Sequence, residues 1–134
     1  MAEIKIPPKR WLRNILSALA IFSDPVQGLI TYEFSKMYTF YCNYVDYGGA
    51  QLEDMLFYEF LDDGYALKYG SSEVLLAKLK SLKLLIERFY QSVDNLSNFE
   101  VIRCKEWDEI VPLAQECYKG LEQLCNKMPK DPED

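Results

Sequence analysis

The chain has 134 residues, of which 49% are apolar, so a single domain can bury a core without disulfides or a structural metal. Its net charge of −6 argues against a surface that binds nucleic acid. No apolar run reaches the roughly 20 residues of a membrane span, and no secretory signal is recognisable, which predicts a cytoplasmic protein without membrane contact.

The first predicted helix covers Trp11 to Phe22, where apolar residues recur at every third or fourth position. Ser23-Asp24-Pro25 predicts the end of that helix and the start of a second, because Asp24 can cap free backbone amides and proline suits the first helical position. The second helix is predicted from about Pro25 to Tyr44, and we expect Gly48-Gly49 to end it.

The middle of the chain predicts two further helices. A short third helix is expected over Gln51 to Leu61, where Asp62-Asp63-Gly64 supplies a C-terminal stop. The most regular segment follows, with a serine cap at Ser71 or Ser72 and a fourth helix that runs to about Val93.

The C-terminal third predicts one more helix. Residues 94–104 mix turn and apolar residues, which is typical of a crossing loop or a brief extended piece. A last helix is expected over Glu106 to Asn126, and the polar tail from about Lys127 is expected to fray. The sequence therefore predicts an all-α fold, a single domain over 1–134 built as a bundle of four to five helices.

Composition gives little support for catalysis. The chain has no histidine, the usual base of serine and cysteine nucleophiles, and it carries no glycine-rich phosphate-binding motif. Its four cysteines form no C-x-x-C pair, and we expect reduced core thiols rather than disulfides or a zinc site. A carboxylate metal site is a minor alternative, with donors drawn from Glu33, Glu53, Asp54, Asp62 and Asp63. We therefore predict no enzyme, no cofactor and no bound metal.

Acidic residues and tyrosines concentrate in one part of the chain. Residues 33–67 contain seven acids and one lysine, a net charge of −6 that equals the charge of the whole protein. Eight of the ten tyrosines fall between Tyr32 and Tyr69, and tyrosine is favoured at protein interfaces because it buries area while keeping a polar tip. This concentration indicates a protein-binding surface.

Helical spacing would place part of this surface in solvent. In a continuous third helix, Asp54, Tyr58 and Asp62 would stack at four-residue intervals opposite the apolar positions. Like charges in such a stripe repel, so attraction of a basic partner is one explanation of the pattern. The alternative is an ordinary solvated face with tyrosines partly in the core.

The overall pattern resembles the small immunity proteins that bacteria pair with toxic nuclease domains, including those of contact-dependent growth inhibition and colicin-type systems. The resemblance rests on the small, acidic, helical chain, on the tyrosine and acid cluster of Tyr38 to Tyr69, and on a closing helix that starts Glu106-Trp107-Asp108-Glu109-Ile110 and continues through Ala114 and Leu121.

The resemblance implies an inhibitor that covers the basic surface of a cognate toxin, acting as a monomer or weak dimer and touching no nucleic acid itself. A helical adaptor or oligomeric subunit of a larger assembly is the alternative, and sedimentation would distinguish the two because a subunit should self-associate. The partner-binding residues expected from the acid and tyrosine pattern are Asp46, Tyr47, Glu53, Asp54, Tyr58, Asp62, Asp63 and Tyr65.

Overall fold

The computed structural model describes residues 6–33, 43–93 and 95–131, and of residues 30–33 only the backbone. Within these ranges the chain forms helices and no strand. The eight helices described are α1 Pro8–Ser23, α2 Pro25–Glu33, α3 Tyr44–Asp54, α4 Phe57–Asp62, α5 Tyr65–Lys68, α6 Glu73–Ser92, α7 Asn98–Val101 and α8 Trp107–Lys127.

The all-helical prediction is confirmed, and the longest helices lie where the sequence places them. Ser72 caps α6 by accepting a hydrogen bond from the backbone N–H of Leu75 at 3.0 Å, as its position suggested. The helix count exceeds four to five because the middle of the chain is divided into shorter pieces. None of the helices described is long and apolar enough to cross a membrane.

Two predicted boundaries in the middle of the chain are wrong. Tyr44 begins α3 rather than ending the second helix, and the segment between Glu33 and Asn43 lies outside the described residues. Gly48-Gly49 lies inside α3 instead of terminating a helix. A Cβ at Gly48 would lie 2.6 Å from the ring of Phe22, so the glycine lets α1 approach α3 closely.

The predicted third helix is broken in its centre. Helix α3 ends at Asp54, Leu56 adopts a left-handed conformation with φ 57°, and α4 begins at Phe57. The freed carbonyl of Met55 accepts a hydrogen bond from the indole Nε1 of Trp11 at 2.8 Å. A core side chain thus satisfies a backbone group at the break, which makes the interruption compatible with burial.

Asn43 connects the start of α3 to the end of α6. Its side-chain oxygen accepts a hydrogen bond from the backbone N–H of Asp46 at 3.0 Å, which caps α3. Its amide nitrogen donates to the carbonyl oxygens of Val93 and Leu96 at 2.8 and 3.1 Å. Because Asn43 is almost fully buried, these bonds fix the relative position of α3 and α6.

Among the helices described, α1 and α8 share the most extensive contact. The apolar stripe of α1 is buried from Trp11 to Phe22, and α8 buries Ile110, Ala114 and Leu121. Cys117 and Cys125 are free buried thiols, as expected, while Cys104 is half-buried and Cys42 lies outside the described residues. Burial raises the pKa of the Cys117 thiol to about 12, so it stays a neutral core group.

The polar tail, which the sequence predicts to fray, contacts the start of α1 through Asp131. Asp131 is buried, and its carboxylate accepts hydrogen bonds from the backbone N–H groups of Lys9 and Arg10 at 3.1 and 2.9 Å. Helix α1 starts after Pro7, whose side chain cannot cap it. A residue 121 positions away in sequence from Arg10 therefore supplies its N-terminal cap.

The segment 94–104 contains a short helix in place of the predicted loop or extended piece. Ser97 and Glu100 form a capping box at the start of α7, and Val101 is buried. The carbonyl of Val101 accepts a hydrogen bond from the indole of Trp107 at 2.9 Å. These contacts hold α7 against the start of α8; Asp94 is not among the described residues.

Candidate functional site: an acidic groove between α3 and α6

A groove runs between α3 and α6 and is closed at one end by α4. Its cavity volume is about 320 Å³, which lies at the lower end of the range for small-ligand pockets. Three carboxylates and two phenols line it, together with small and apolar side chains. The lining residues are Asp46, Gly49, Ala50, Glu53, Tyr58, Ile86, Glu87, Tyr90 and Gln91.

The helical repeat explains how α3 presents its part of the wall. Asp46, Ala50 and Glu53 are separated by four and three residues, so they lie on one face of the helix. Val45, Gly48 and Leu52 occupy the buried face beside it. The small residues Gly49 and Ala50 stand where larger side chains would fill the space, which leaves the groove open between the two acids.

Helix α6 supplies the opposite wall. Glu87 and Tyr90 are three residues apart and face α3, with Ile86 buried beneath them. The hydroxyl of Tyr90 donates a hydrogen bond to Oδ1 of Asp46 at 3.0 Å, which links the two walls. Tyr90 nevertheless remains 41% exposed, so much of its side chain faces solvent at the mouth of the groove.

Tyr58 closes the end of the groove from α4. The ammonium group of Lys83 lies 5.2 Å from the centroid of its ring, and the same ammonium group pairs with Asp62 at 3.4 Å. Burial raises the pKa of the Tyr58 phenol, and the nearby charges of Glu87, Glu53 and Glu59 raise it further. Tyr58 therefore remains a neutral phenol among negatively charged side chains.

Glu53 and Glu87 carry the unbalanced charge of the groove. Neither carboxylate forms a hydrogen bond or an ion pair within the part of the chain that the structure describes. Both raise the pKa of Tyr58, which shows that their negative charge reaches the same ring from two different helices. A cation bound in the groove would lie near both of these negative charges.

The groove brings together three of the eight residues expected from the sequence and places a fourth beside them. Asp46, Glu53 and Tyr58 line it directly. Asp62 lies one helical turn after Tyr58 and pairs with Lys83, whose ammonium group lies over the ring of Tyr58. The predicted stripe of Asp54, Tyr58 and Asp62 on one continuous helix is not formed. The break at Leu56 places Asp54 on α3, whereas Tyr58 and Asp62 lie on α4.

The other four expected residues lie elsewhere. Tyr47 and Asp54 are seven positions apart on α3, on a flank turned about 100° from the groove face, and Asp54 is exposed. Tyr47 is half-buried beside Tyr44, with ring centroids 6.3 Å apart. These two residues do not contribute to the groove.

Asp63 and Tyr65 follow the end of α4. Asp63 is exposed. Tyr65 packs edge-on against Trp11 with ring centroids 4.9 Å apart, and it contacts Tyr69 at 5.7 Å. Tyr65 and Tyr69 therefore form a half-buried aromatic cover over Trp11, which agrees with the alternative that the sequence left open for part of these tyrosines.

Sequence reasoning missed the contribution of α6. Glu87 and Tyr90 lie off the apolar stripe of the fourth predicted helix at a spacing of three residues, and this was the one signal present. Nothing in the sequence showed that this face meets the acids of α3. Gln91, which completes the wall, carries no distinguishing pattern.

The described residues contain no group of three or more acids and cysteines arranged to hold a metal ion. Comparison of the chain with protein-family models, with curated proteins and with solved structures found no match.

Proposed function

We propose that this chain is an inhibitory binding protein that neutralises a basic protein partner, of the immunity-protein kind that its sequence resembles. The observation that carries the proposal is the groove, where acids from α3 and α6 and two tyrosines line one concave surface. Acids and tyrosines are the chemistry that recognises a nuclease surface made to bind phosphates.

The surrounding surface extends this negative character. Asp54 and Asp63 are exposed, and Asp62 is exposed although it pairs with Lys83. Exposed acids of this kind accelerate the encounter with a basic protein and add little to the final affinity. The mechanism is occlusion, in which the bound chain covers the surface that the partner's substrate would need.

The first experiment is a rescue assay. The protein encoded by the neighbouring open reading frame is expressed in a bacterial host with and without this chain, and growth is measured. We expect growth to be restored only when the chain is present. A neighbouring gene that encodes an assembly component, or toxicity that the chain does not relieve, would contradict the proposal.

The second experiment measures the association rate of the purified pair. Reversal of Asp54, Asp62 and Asp63 to lysine should lower this rate at least about tenfold at low salt and less at high salt. A matched variant reverses Asp108, Glu116 and Glu122 on α8, where Glu116 is likewise paired with a lysine, Lys78, at 3.3 Å. Equal loss of rate in both variants would show that net charge alone matters.

Sedimentation tests the role as a subunit of an assembly. The large apolar side chains that are exposed in the described part of the chain include Val26, Val74 and Phe99, on α2, α6 and α7. Isolated exposed apolar residues are ordinary features of soluble monomers. We expect the chain to sediment as a monomer, and strong self-association would favour the assembly subunit.

A further inference from the structure

We infer that the groove between α3 and α6 receives an arginine side chain of the partner, an inference that rests on the proposed function and specifies where the partner is anchored. The groove has a cavity volume of about 320 Å³, which is large enough to admit a side chain, and it opens to solvent beside Tyr90. Its wall combines carboxylates with phenol rings over the small and apolar residues Gly49, Ala50 and Ile86.

Charge complementarity determines the kind of occupant. Glu53 and Glu87 approach from opposite walls without an ion pair in the described part of the chain. The positive charge of a guanidinium group placed between them would balance the negative charge of both carboxylates. Its N–H groups would donate hydrogen bonds to both. An uncharged or acidic occupant would leave both carboxylates without an opposite charge.

The aromatic residues favour arginine over lysine. A guanidinium group is planar and weakly hydrated, so it stacks on a phenol ring while its edge donates to carboxylates, whereas an ammonium group is a compact, strongly hydrated charge. The apolar floor of Ala50 and Ile86 suits the methylene stem of such a side chain. The protein already contains a similar arrangement next to the groove, where Lys83 lies over the ring of Tyr58 and pairs with Asp62.

The bond between Tyr90 and Asp46 shapes the entrance. Asp46 accepts the hydroxyl of Tyr90 at 3.0 Å, so the phenol ring is held at the mouth of the groove by a contact between its two walls. A ring fixed in this way offers a stacking surface that loses little side-chain entropy when a ligand binds. Tyr90 is therefore the positioning element for the incoming guanidinium plane.

The test uses two short uncharged peptides, one with a single central arginine and one with lysine at that position, titrated into the isotopically labelled full chain and followed by NMR. We expect the arginine peptide to shift the backbone amides of Gly49, Ala50 and Gln91 and to bind at least about threefold more tightly than the lysine peptide. Shifts confined to another surface, or equal affinity for both peptides, would overturn the inference.

Variants separate a specific pocket from general negative charge. The pair Glu53→Gln and Glu87→Gln should weaken binding of the arginine peptide about tenfold or more, because two charge-assisted hydrogen bonds are lost. The pair Asp108→Asn and Glu122→Gln removes the same charge from exposed positions on α8, outside the groove, and should change affinity less than about twofold. Equal effects of the two pairs would contradict a defined arginine site.

The two proposals fail in different ways. If the chain does not rescue growth but the arginine peptide still binds in the groove, the inhibitory function is wrong and the arginine site remains. If the chain rescues growth and the Glu53→Gln, Glu87→Gln variant rescues equally well with unchanged affinity for the partner, the function stands and the arginine site is wrong.

Discussion

Two helix pairs of this protein, α1 with α8 and α3 with α6, differ in how the space between the helices is filled. Between α1 and α8 the space is filled by large side chains such as Phe22 and Trp107, whose ring centroids lie 6.1 Å apart, and the tail closes the end through Asp131. Between α3 and α6 a cavity of about 320 Å³ stays open and acids line it. Filling a space with apolar groups stabilises a fold, whereas an open space forgoes the contacts that such packing would supply.

The two adjacent glycines of α3 show the same difference on a smaller scale. Gly48 faces α1, where a Cβ would lie 2.6 Å from Phe22. Gly49 faces the groove, where a Cβ would meet nothing closer than the ring of Tyr90 at 3.4 Å, an ordinary van der Waals contact. The same residue type thus permits close packing on one side of the helix and leaves space on the other.

The largest expected effect comes from substituting these two glycines. Gly48→Ala should destabilise the protein by about 1–3 kcal/mol, because the added methyl group overpacks the contact with α1. Gly49→Ala should stabilise it by about 0.5–1 kcal/mol, because alanine favours a helix and meets no clash. Urea denaturation of both variants measures the two values, and effects of the same sign would show that the two faces of α3 do not differ as described.

A smaller effect is expected at the closed end of the α1 and α8 pair. Asp131→Ala should lower the free energy of unfolding by about 1 kcal/mol, since α1 loses the side chain that accepts the amides of Lys9 and Arg10. Asp63→Ala removes the same charge from an exposed position and should change stability by less than about 0.5 kcal/mol. Equal denaturation midpoints for the two variants would disprove the capping role.

The smallest effect concerns the electrostatics of the groove. Glu87→Gln should lower the pKa of Tyr58 toward its ordinary value of 10, because one of the charges that disfavour the phenolate is removed. NMR of ring-labelled tyrosine measures this pKa directly. Asp63→Asn serves as the control, and a Tyr58 pKa that is identical in the wild type and in Glu87→Gln would show that Glu87 does not act on this ring.

The same shift gives a pH dependence with a defined sign. The pKa of Tyr58 is higher in the folded than in the unfolded state, so the unfolded state loses its proton first when the pH rises above 10. The stability associated with the neutral phenol is complete below that pH and is lost as the pH rises through the folded pKa. Glu87→Gln, with a lower folded pKa, should lose less stability over this alkaline range.

The helices that were predicted well are those with long apolar stripes. The pattern from Trp11 to Phe22 and that of α6 and α8 persist over several turns, so local spacing determined their positions within three residues. The predictions that were wrong depended on distant partners. At the break near Leu56, the indole of Trp11 donates a hydrogen bond to the carbonyl of Met55. Gly48 lies inside α3 at the point where the ring of Phe22 packs against the helix.

For the candidate site, the sequence identified the acids of α3 and Tyr58 but grouped them with Tyr47 and Tyr65. Those two tyrosines differ from Tyr58 only in where the tertiary fold places them, one beside Tyr44 and the other on Trp11. Composition cannot distinguish a tyrosine that covers the core from one that lines a groove. The partner wall on α6 had no sequence signal beyond the spacing of Glu87 and Tyr90.

The sequence by itself determined the helical class, the long helices and the concentration of negative charge, because periodicity and composition act locally along the chain. The tertiary structure alone decided that Asp131 caps α1, that Asn43 joins α3 to α6, and that Glu53 and Glu87 face the same space. These contacts join residues far apart in sequence, and they form only when the buried apolar faces have fixed how the helices meet.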